Sequence, residues 1–470
     1  MNHESDDGEG LASLLLGVGD KATAGNRELG LQEAAVDHRG RRRRQVSAVA
    51  AVVITMSLVS GIVVAVSRPP KHGAVLMSSP TPTTTSGGVA ELKAGQWSAL
   101  PAAPITSRRS ASVVWTGRDL LVWGGESGSH GDVLHADGAA YSPQTGQWHL
   151  LPSSPLSPRT GQAGAWTGSE LVIWGGYDQV SSAAFHVTND GAAYNPQTNR
   201  WRVLPPSPLS ARTNPVAVWT GRALVLLGGQ PAVLTNAIHG FGDGVLYDPS
   251  SDRWTPIAPP TPLDGHSLAW RSAVQTDGGL LAWSEWIPSP SPTAATSAFG
   301  GADIFAYDES AGGWRAVPPA PGALPTAEEV IWTGSVALVR GGRINCPSCA
   351  GPRGSEVTDS YSPVLNVWTR LPADPLADDH NPLAGPDLAS VWTGAALFSL
   401  DEMSASGAIR PGDASAYDPT TATWSRLPSA PFECDDGRSP IWTGQQILLY
   451  CPSPAGGPGA AHDGLAFTPG

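Results

Sequence analysis

The chain has 470 residues, among them 55 glycines, 44 prolines and 18 tryptophans. Glycine and proline at that level mean either disorder or many tight turns, and the tryptophan load excludes a chain that is disordered throughout. The net charge is −13, with 33 acidic and 19 basic residues from position 91 onward; such a surface repels phosphate backbones and argues against a nucleic-acid partner.

Residues 1–45 are polar, mixed in charge and without Cys/His metal spacing, which predicts a disordered tail. Residues 46–66, VSAVAAVVITMSLVSGIVVAV, contain no charge. As a helix rising 1.5 Å per residue they span about 30 Å, the thickness of a bilayer core, and so predict one transmembrane helix. Arg39 and the run Arg41 to Arg44 precede the segment, whereas only Arg68 and Lys71 follow closely. The positive-inside rule then puts the N-terminus in the cytoplasm and everything after residue 66 outside. Ala65-Val66-Ser67 has the form of a cleavage site, but the 45-residue leader and the long apolar run favour a retained anchor. Residues 67–93, with the stretch SSPTPTTTSGG, read as a flexible linker. The predominance of arginine over lysine, which occurs only at Lys21, Lys71 and Lys93, suggests a bacterial source.

From residue 94 to 470 the chain repeats. One element runs VWTGRDLLVWGG (114–125), AWTGSELVIWGG (165–176), VWTGRALVLLGG (218–229), IWTGSVALVRGG (331–342), VWTGAALFSL (391–400) and IWTGQQILLYC (441–451), with a degenerate copy AVQTDGGLLAW at 273–283. A second alternates with it: AAYSPQTGQW, AAYNPQTNRW, VLYDPSSDRW, FAYDESAGGW, DSYSPVLNVW and SAYDPTTATW. Each repeat holds four strand-sized pieces, a to d, with Thr-Gly turning a into b and the segment after the tyrosine turning c into d. A four-stranded sheet with two apolar faces must be covered on both, which radial packing of seven such sheets achieves. The seventh copy is split. LAFTPG ends the chain where a tryptophan strand is due, and the unmatched AGQWSALP (94–101) opens the domain. The closing blade is therefore expected to be composite.

The Gly-Gly pairs at 124–125, 175–176, 228–229 and 341–342, with the tyrosine and the tryptophan seven residues after it, resemble the kelch family. The resemblance implies an all-β, seven-bladed kelch-type β-propeller of the galactose oxidase/kelch superfamily, preceded here by one transmembrane α-helix. That superfamily includes binding modules and enzymes. The copper set of its oxidases, with a tyrosine cross-linked to a cysteine, finds no residue-by-residue match, so no cofactor and no metal are expected. The reading adopted is an anchored, extracytoplasmic binding or scaffold module for a protein or carbohydrate ligand; the alternative is a carbohydrate oxidase or sugar epimerase.

The a–b and c–d turns lie on one face and are short. The long, irregular segments are b–c connections on the other face, where a rigid scaffold would present a binding site. Arg109, Arg159, Arg212 and Arg438 precede a strands on that face and are candidates for receiving a carboxylate or polar ligand, unless they bond loop carbonyls instead. His266 and His380 fall in d–a loops and His130, His135, His186, His239 and His462 in b–c loops, without the close spacing of a metal site. Glu328 and Glu329, with Asp378 and Asp379 one blade on, offer carboxylates for acid–base work, although adjacent acids point apart. Cys346, Cys349, Cys434 and Cys451 are candidates for two disulfides in an exported domain, with Cys434–Cys451 a natural pair. The alternative for Cys346-Pro-Ser-Cys349 is a redox pair, which needs a helix N-terminus to activate it.

Overall fold

The Thr-Gly pairs are hairpin turns in the computed structural model of the protein. The structure describes residues 87–128, 133–181, 184–231, 240–261, 268–286, 302–320, 327–341, 357–376, 388–401, 413–431, 440–451 and 463–470. In blade 1 the Thr116 amide and hydroxyl both donate to Asp119 O at 3.0 Å. Gly117 sits at φ +89°, a conformation only glycine adopts without strain.

The described strands form seven four-stranded antiparallel sheets and two short ribbons. Blade 1 is Ser112–Trp115, Leu120–Trp123, Gly138–Ser142 and Gln147–Leu150; blade 2 begins at Ala163–Trp166, blade 3 at Val216–Trp219 and blade 4 at Leu268–Thr276. Blade 5 begins at Ala327–Trp332 and blade 6 at Leu388–Trp392. Blade 7 is composite: Ile441–Trp442, Ile447–Tyr450 and Gly464–Thr468 are completed by Gln96–Ala99 from the start of the domain. There Trp97 pairs with Phe467 and Ala99 with Leu465.

The core is divided among the blade boundaries. Seven apolar clusters each join two neighbouring blades, and one of them unites Leu448, Tyr450 and Ala466 of blade 7 with Leu120, Val122 and Tyr141 of blade 1. That cluster closes the ring. The b strands LLVW, LVIW, LVLL and ILLY are buried at every position, because both of their faces meet a neighbouring blade.

The repeating tryptophans do more than fill space. Each indole donates to a backbone carbonyl about one repeat earlier: Trp148 to Pro101, Trp201 to Pro152, Trp254 to Pro205, Trp314 to Ala258, Trp368 to Pro318 and Trp424 to Pro372, at 2.8–3.0 Å. Trp97 completes the series around the closure by donating to Pro428 O at 2.7 Å. The tryptophan thus staples its blade to the connection leaving the preceding one.

The linker expected over 67–93 ends earlier than the sequence suggests. Val89–Lys93 is a short helix with Leu92 buried in the cluster between blades 6 and 7, and Gly87 O accepts the Thr393 hydroxyl at 2.6 Å. Residues 46–66 lie outside the described residues, among which no helix is long and apolar enough to cross a membrane.

Candidate functional site

The b–c connections of blades 1 and 2 rise from the loop face as two-stranded ribbons, Glu126–Ser127 with Val133–Leu134 and Tyr177–Ser181 with Ala184–Val187. The Gly-Gly pairs explain how they start. After strand b the chain passes under the d–a connection, bridging Arg109 to Glu126, Thr160 to Tyr177 and Thr213 to Gln230. A Cβ on Gly125, at φ +90°, would lie 2.5 Å from Arg109 O, so the crossing requires glycine.

Below each crossing a buried arginine locks the d–a connection to the start of strand c. Arg159 Nη1 is 2.7 Å from Asp190 Oδ1 and Nη2 is 3.3 Å from Oδ2. Its remaining donors go to Ser157 O, Ser157 Oγ, Gly175 O and Thr188 Oγ1. Arg212 repeats the arrangement with Asp243 at 2.7 and 3.3 Å and stacks on Phe241, 4.1 Å from the ring centroid. In blade 1 the residue is Arg108, on Asp137 at 2.6 and 3.3 Å. All three side chains are withdrawn from solvent.

For Arg159 and Arg212 the arrangement is the structural alternative named above, guanidiniums bonding loop carbonyls, with an aspartate added. Arg159 and Arg212 spend their guanidiniums on the fold and have none to offer a ligand. Arg109 is out of step with them by one residue and points elsewhere. The signal was available in the sequence: an arginine seven residues before the a-strand tryptophan, matched to an Asp-Gly at the start of strand c, occurs in blades 1 to 3 only. Burial pushes the Asp137 and Asp190 carboxyls up, but the hydrogen bonds and charge of Arg108 and Arg159 outweigh it and hold both below the usual aspartate range.

Arg109 instead joins the ribbons. Its Nε donates to Glu126 Oε1 at 2.9 Å, and the Tyr177 hydroxyl of blade 2 reaches Glu126 Oε2 at 3.5 Å. Burial, then the Glu126 charge, raises the Tyr177 phenol above its ordinary value, so it stays a donor. Asp178 accepts the Ser157 hydroxyl at 2.8 Å and faces His186 Nδ1 at 3.3 Å. His135 lies 2.8 Å from Ser127 Oγ; burial, then the charge of Arg108, holds its imidazole below the ordinary value. Val133, 48% exposed, and Phe185, 38% exposed, remain on the ribbon surfaces. The result is a wall over blades 1 and 2 with exposed apolar side chains on its strands and a fixed polar base. Sequence reading missed Glu126, Tyr177 and Asp178, because only the crossing brings them together.

Glu329 accepts the Ser390 amide at 2.9 Å, tying the a strands of blades 5 and 6. Glu328 is its neighbour in the strand Ala327–Trp332. Cys451 is buried at the end of the blade 7 b strand, and no free cysteine occurs among the described residues. Arg438, His266, His380, Cys346, Cys349 and Cys434 lie outside the described residues. Among the described residues no group of three or more His, Cys, Asp or Glu is placed to hold a metal.

Seven four-stranded blades closed by a composite sheet define a β-propeller, and the Gly-Gly crossings of blades 1 to 3 with the stapling tryptophans are features that resemble kelch repeats. Comparison with known proteins agrees. A family model, the KLHDC2/KLHL20/DRC7 Kelch-repeats domain, matches residues 78–276. The chain is also similar to the Kelch-like protein terF of Aspergillus terreus (strain NIH 2624 / FGSC A1156), with 23% identity over 319 residues. The match covers 65% of this chain and 65% of that relative's length.

Proposed function

We propose that the protein is a binding module whose loop face takes a protein partner over the ribbons of blades 1 and 2. The observation that carries this reading is the wall itself. Exposed Val133 and Phe185 are held on ribbons cross-linked by Arg109, Glu126 and Tyr177, which is preorganised apolar area with oriented polar groups. Kelch propellers commonly work this way, which supports the assignment. A photo-crosslinking amino acid at position 185 should capture a discrete partner in cells of the source organism. The same probe at Val203, which is 64% exposed on an outer strand, should not. Equal capture from both positions, or none from 185, would reject the reading.

The proposal includes a bacterial, membrane-anchored and extracytoplasmic setting. Its support is the uncharged stretch 46–66 behind an arginine run, and a reporter fused after Gly470 should be active only outside the cytoplasm. Cys434 and Cys451 would then form a bridge in the last blade, supported by the absence of a free thiol among the described residues. Thiol titration of the exported domain tests it, a reactive Cys451 being the contrary result.

A further inference from the structure

The face opposite the ribbons carries the a–b and c–d turns, and its charge is unevenly distributed. Blades 1 to 4 all carry charge within these turns, including Arg118, Asp119, Glu170, Asp252 and Asp277. In blades 5 to 7 the turns read TGSV (333–336), PVLN (363–366), TGAA (393–396), PTTA (419–422) and TGQQ (443–446), none of which contains a charge. Asp418 flanks one of them, and its Oδ1 is occupied by the Thr420 amide and hydroxyl at 2.8 and 2.6 Å.

Within that sector the blade 5 turn is apolar. Val364 is 90% exposed, Leu365 71% and Val367 48%. The fold does not need them. The left-handed position of the turn belongs to Asn366, at φ +54°, and the two residues before it are Gln-Thr in blade 2 and Thr-Thr in blade 6. Contiguous exposed apolar side chains mark a contact surface. Two side chains at a turn are too few for a protein interface, which buries on the order of 800 Å² per partner.

The chain enters the propeller in the same sector. Gly87 is fixed to Thr393 in the a–b turn of blade 6, and Val89–Lys93 stands where blade 7 would otherwise have its c–d turn, with Gly470 N–H donating to Glu91 O at 2.9 Å. Glu91 and Lys93 are the charges this segment brings. Only residues 67–86 separate Gly87 from the uncharged stretch 46–66. As a coil, a 20-residue connection has a root-mean-square reach of about 25 Å. Tethering at that range makes even weak surface contact effective, because the local concentration of the second partner is high.

We propose that the turn face of blades 5 to 7 lies against the lipid bilayer, with Val364 and Leu365 entering its interfacial layer, so that the ribbon wall points away from the membrane. This rests on residues 46–66 being the anchor. The test uses the full chain in phosphatidylcholine–phosphatidylglycerol vesicles, with an environment-sensitive fluorescent amino acid at position 364 or, as reference, at position 250 in the blade 3 turn. The probe at 364 should emit further to the blue in vesicles and be quenched by spin-labelled lipid, and that at 250 should show neither effect. With the probe moved to position 421, quenching should fall in the Val364→Gln, Leu365→Thr variant, whose turn copies that of blade 2. If the chain floats with vesicles but 364 is not quenched, or 364 and 250 are quenched equally, the orientation is wrong and the anchor stands. If the chain does not float with vesicles, anchor and orientation fall together.

Discussion

Asp374→Ala should destabilise the propeller sharply, although the residue lies in a connection between blades and not in a strand. Position 340 closes a b strand where blades 1, 2 and 4 have tryptophan, at Trp123, Trp174 and Trp283, and blade 3 has Leu227. Blade 5 puts Arg340 there, facing blade 6. Blade 6 answers with serines at 390, 399 and 415, where blade 1 has Val113, Val122 and Ala139. The arginine donates to Ser390 Oγ at 2.6 Å and to Ser399 Oγ, pairs with Asp374 at 2.9 Å, and lies over Trp424 at 5.5 Å. Asp374 in turn accepts the Ser415 hydroxyl at 2.9 Å and the Leu376 amide at 3.0 Å. Both charged side chains are 2% exposed. Among the described residues the apolar cluster at this boundary has three buried members, Leu338, Leu397 and Tyr417, so the ion pair takes the place of packing.

Removing one partner of a buried pair strands the other charge and costs about 3–5 kcal/mol. That is a large part of a net stability of about 5–15 kcal/mol. Urea unfolding followed by tryptophan fluorescence measures it. Arg340→Met combined with Asp374→Leu leaves no charge buried and should lose less than Asp374→Ala alone. A loss below about 1 kcal/mol for Asp374→Ala, or a double variant less stable than the single one, would refute the reasoning.

The ring closure, the arginine locks and the loop-face histidine can be tested in the same assay. Trp97 packs 4.8 Å from Phe467 and 6.2 Å from Phe398, so Trp97→Ala should cost about 3 kcal/mol; truncation at residue 101 should cost more, and truncation at residue 86 nothing. Arg159→Ala should lose about 2–3 kcal/mol, less than a fully buried pair because Asp190 is 55% exposed, whereas Arg109→Ala should leave stability within about 0.5 kcal/mol and loosen only the ribbons. His135 has a lowered folded pKa, so below about pH 6.5 the unfolded chain binds a proton that the folded chain does not, and stability falls with acidification. His135→Asn should flatten that slope near pH 6. A further loss should appear below about pH 4, as Asp137 and Asp190, whose folded values are depressed, become protonated.

The chain's own pattern determines the architecture because every repeat carries the same local code. Thr-Gly can close only one kind of turn, the apolar b strand must be covered on both faces, and the tyrosine–tryptophan hairpin gives each sheet its outer edge. Seven copies with one divided between the termini therefore specify seven blades and a composite closure before any coordinate is known. The start of the domain was less legible. Val89–Lys93 is too short for a helical period, and Leu92 is held by blades 6 and 7 rather than by its own segment.

The candidate site was legible only as a face. Arg159 and Arg109 look alike as loop arginines, and their roles separate only when the Gly-Gly crossing puts the d–a connection over strand b. That crossing buries one guanidinium against Asp190 and lifts the other toward Glu126 and Tyr177 of the next blade. Arg340, Asp374 and the three serines are spread over about 75 residues of chain and two blades, and none has a local partner that would announce it. Backbone turns and buried strands are set by neighbours in sequence, so sequence reveals them. Pairings of charge across a blade boundary are set by neighbours in space, so only the packed ring shows which arginines hold the d–a connections and which link the ribbons.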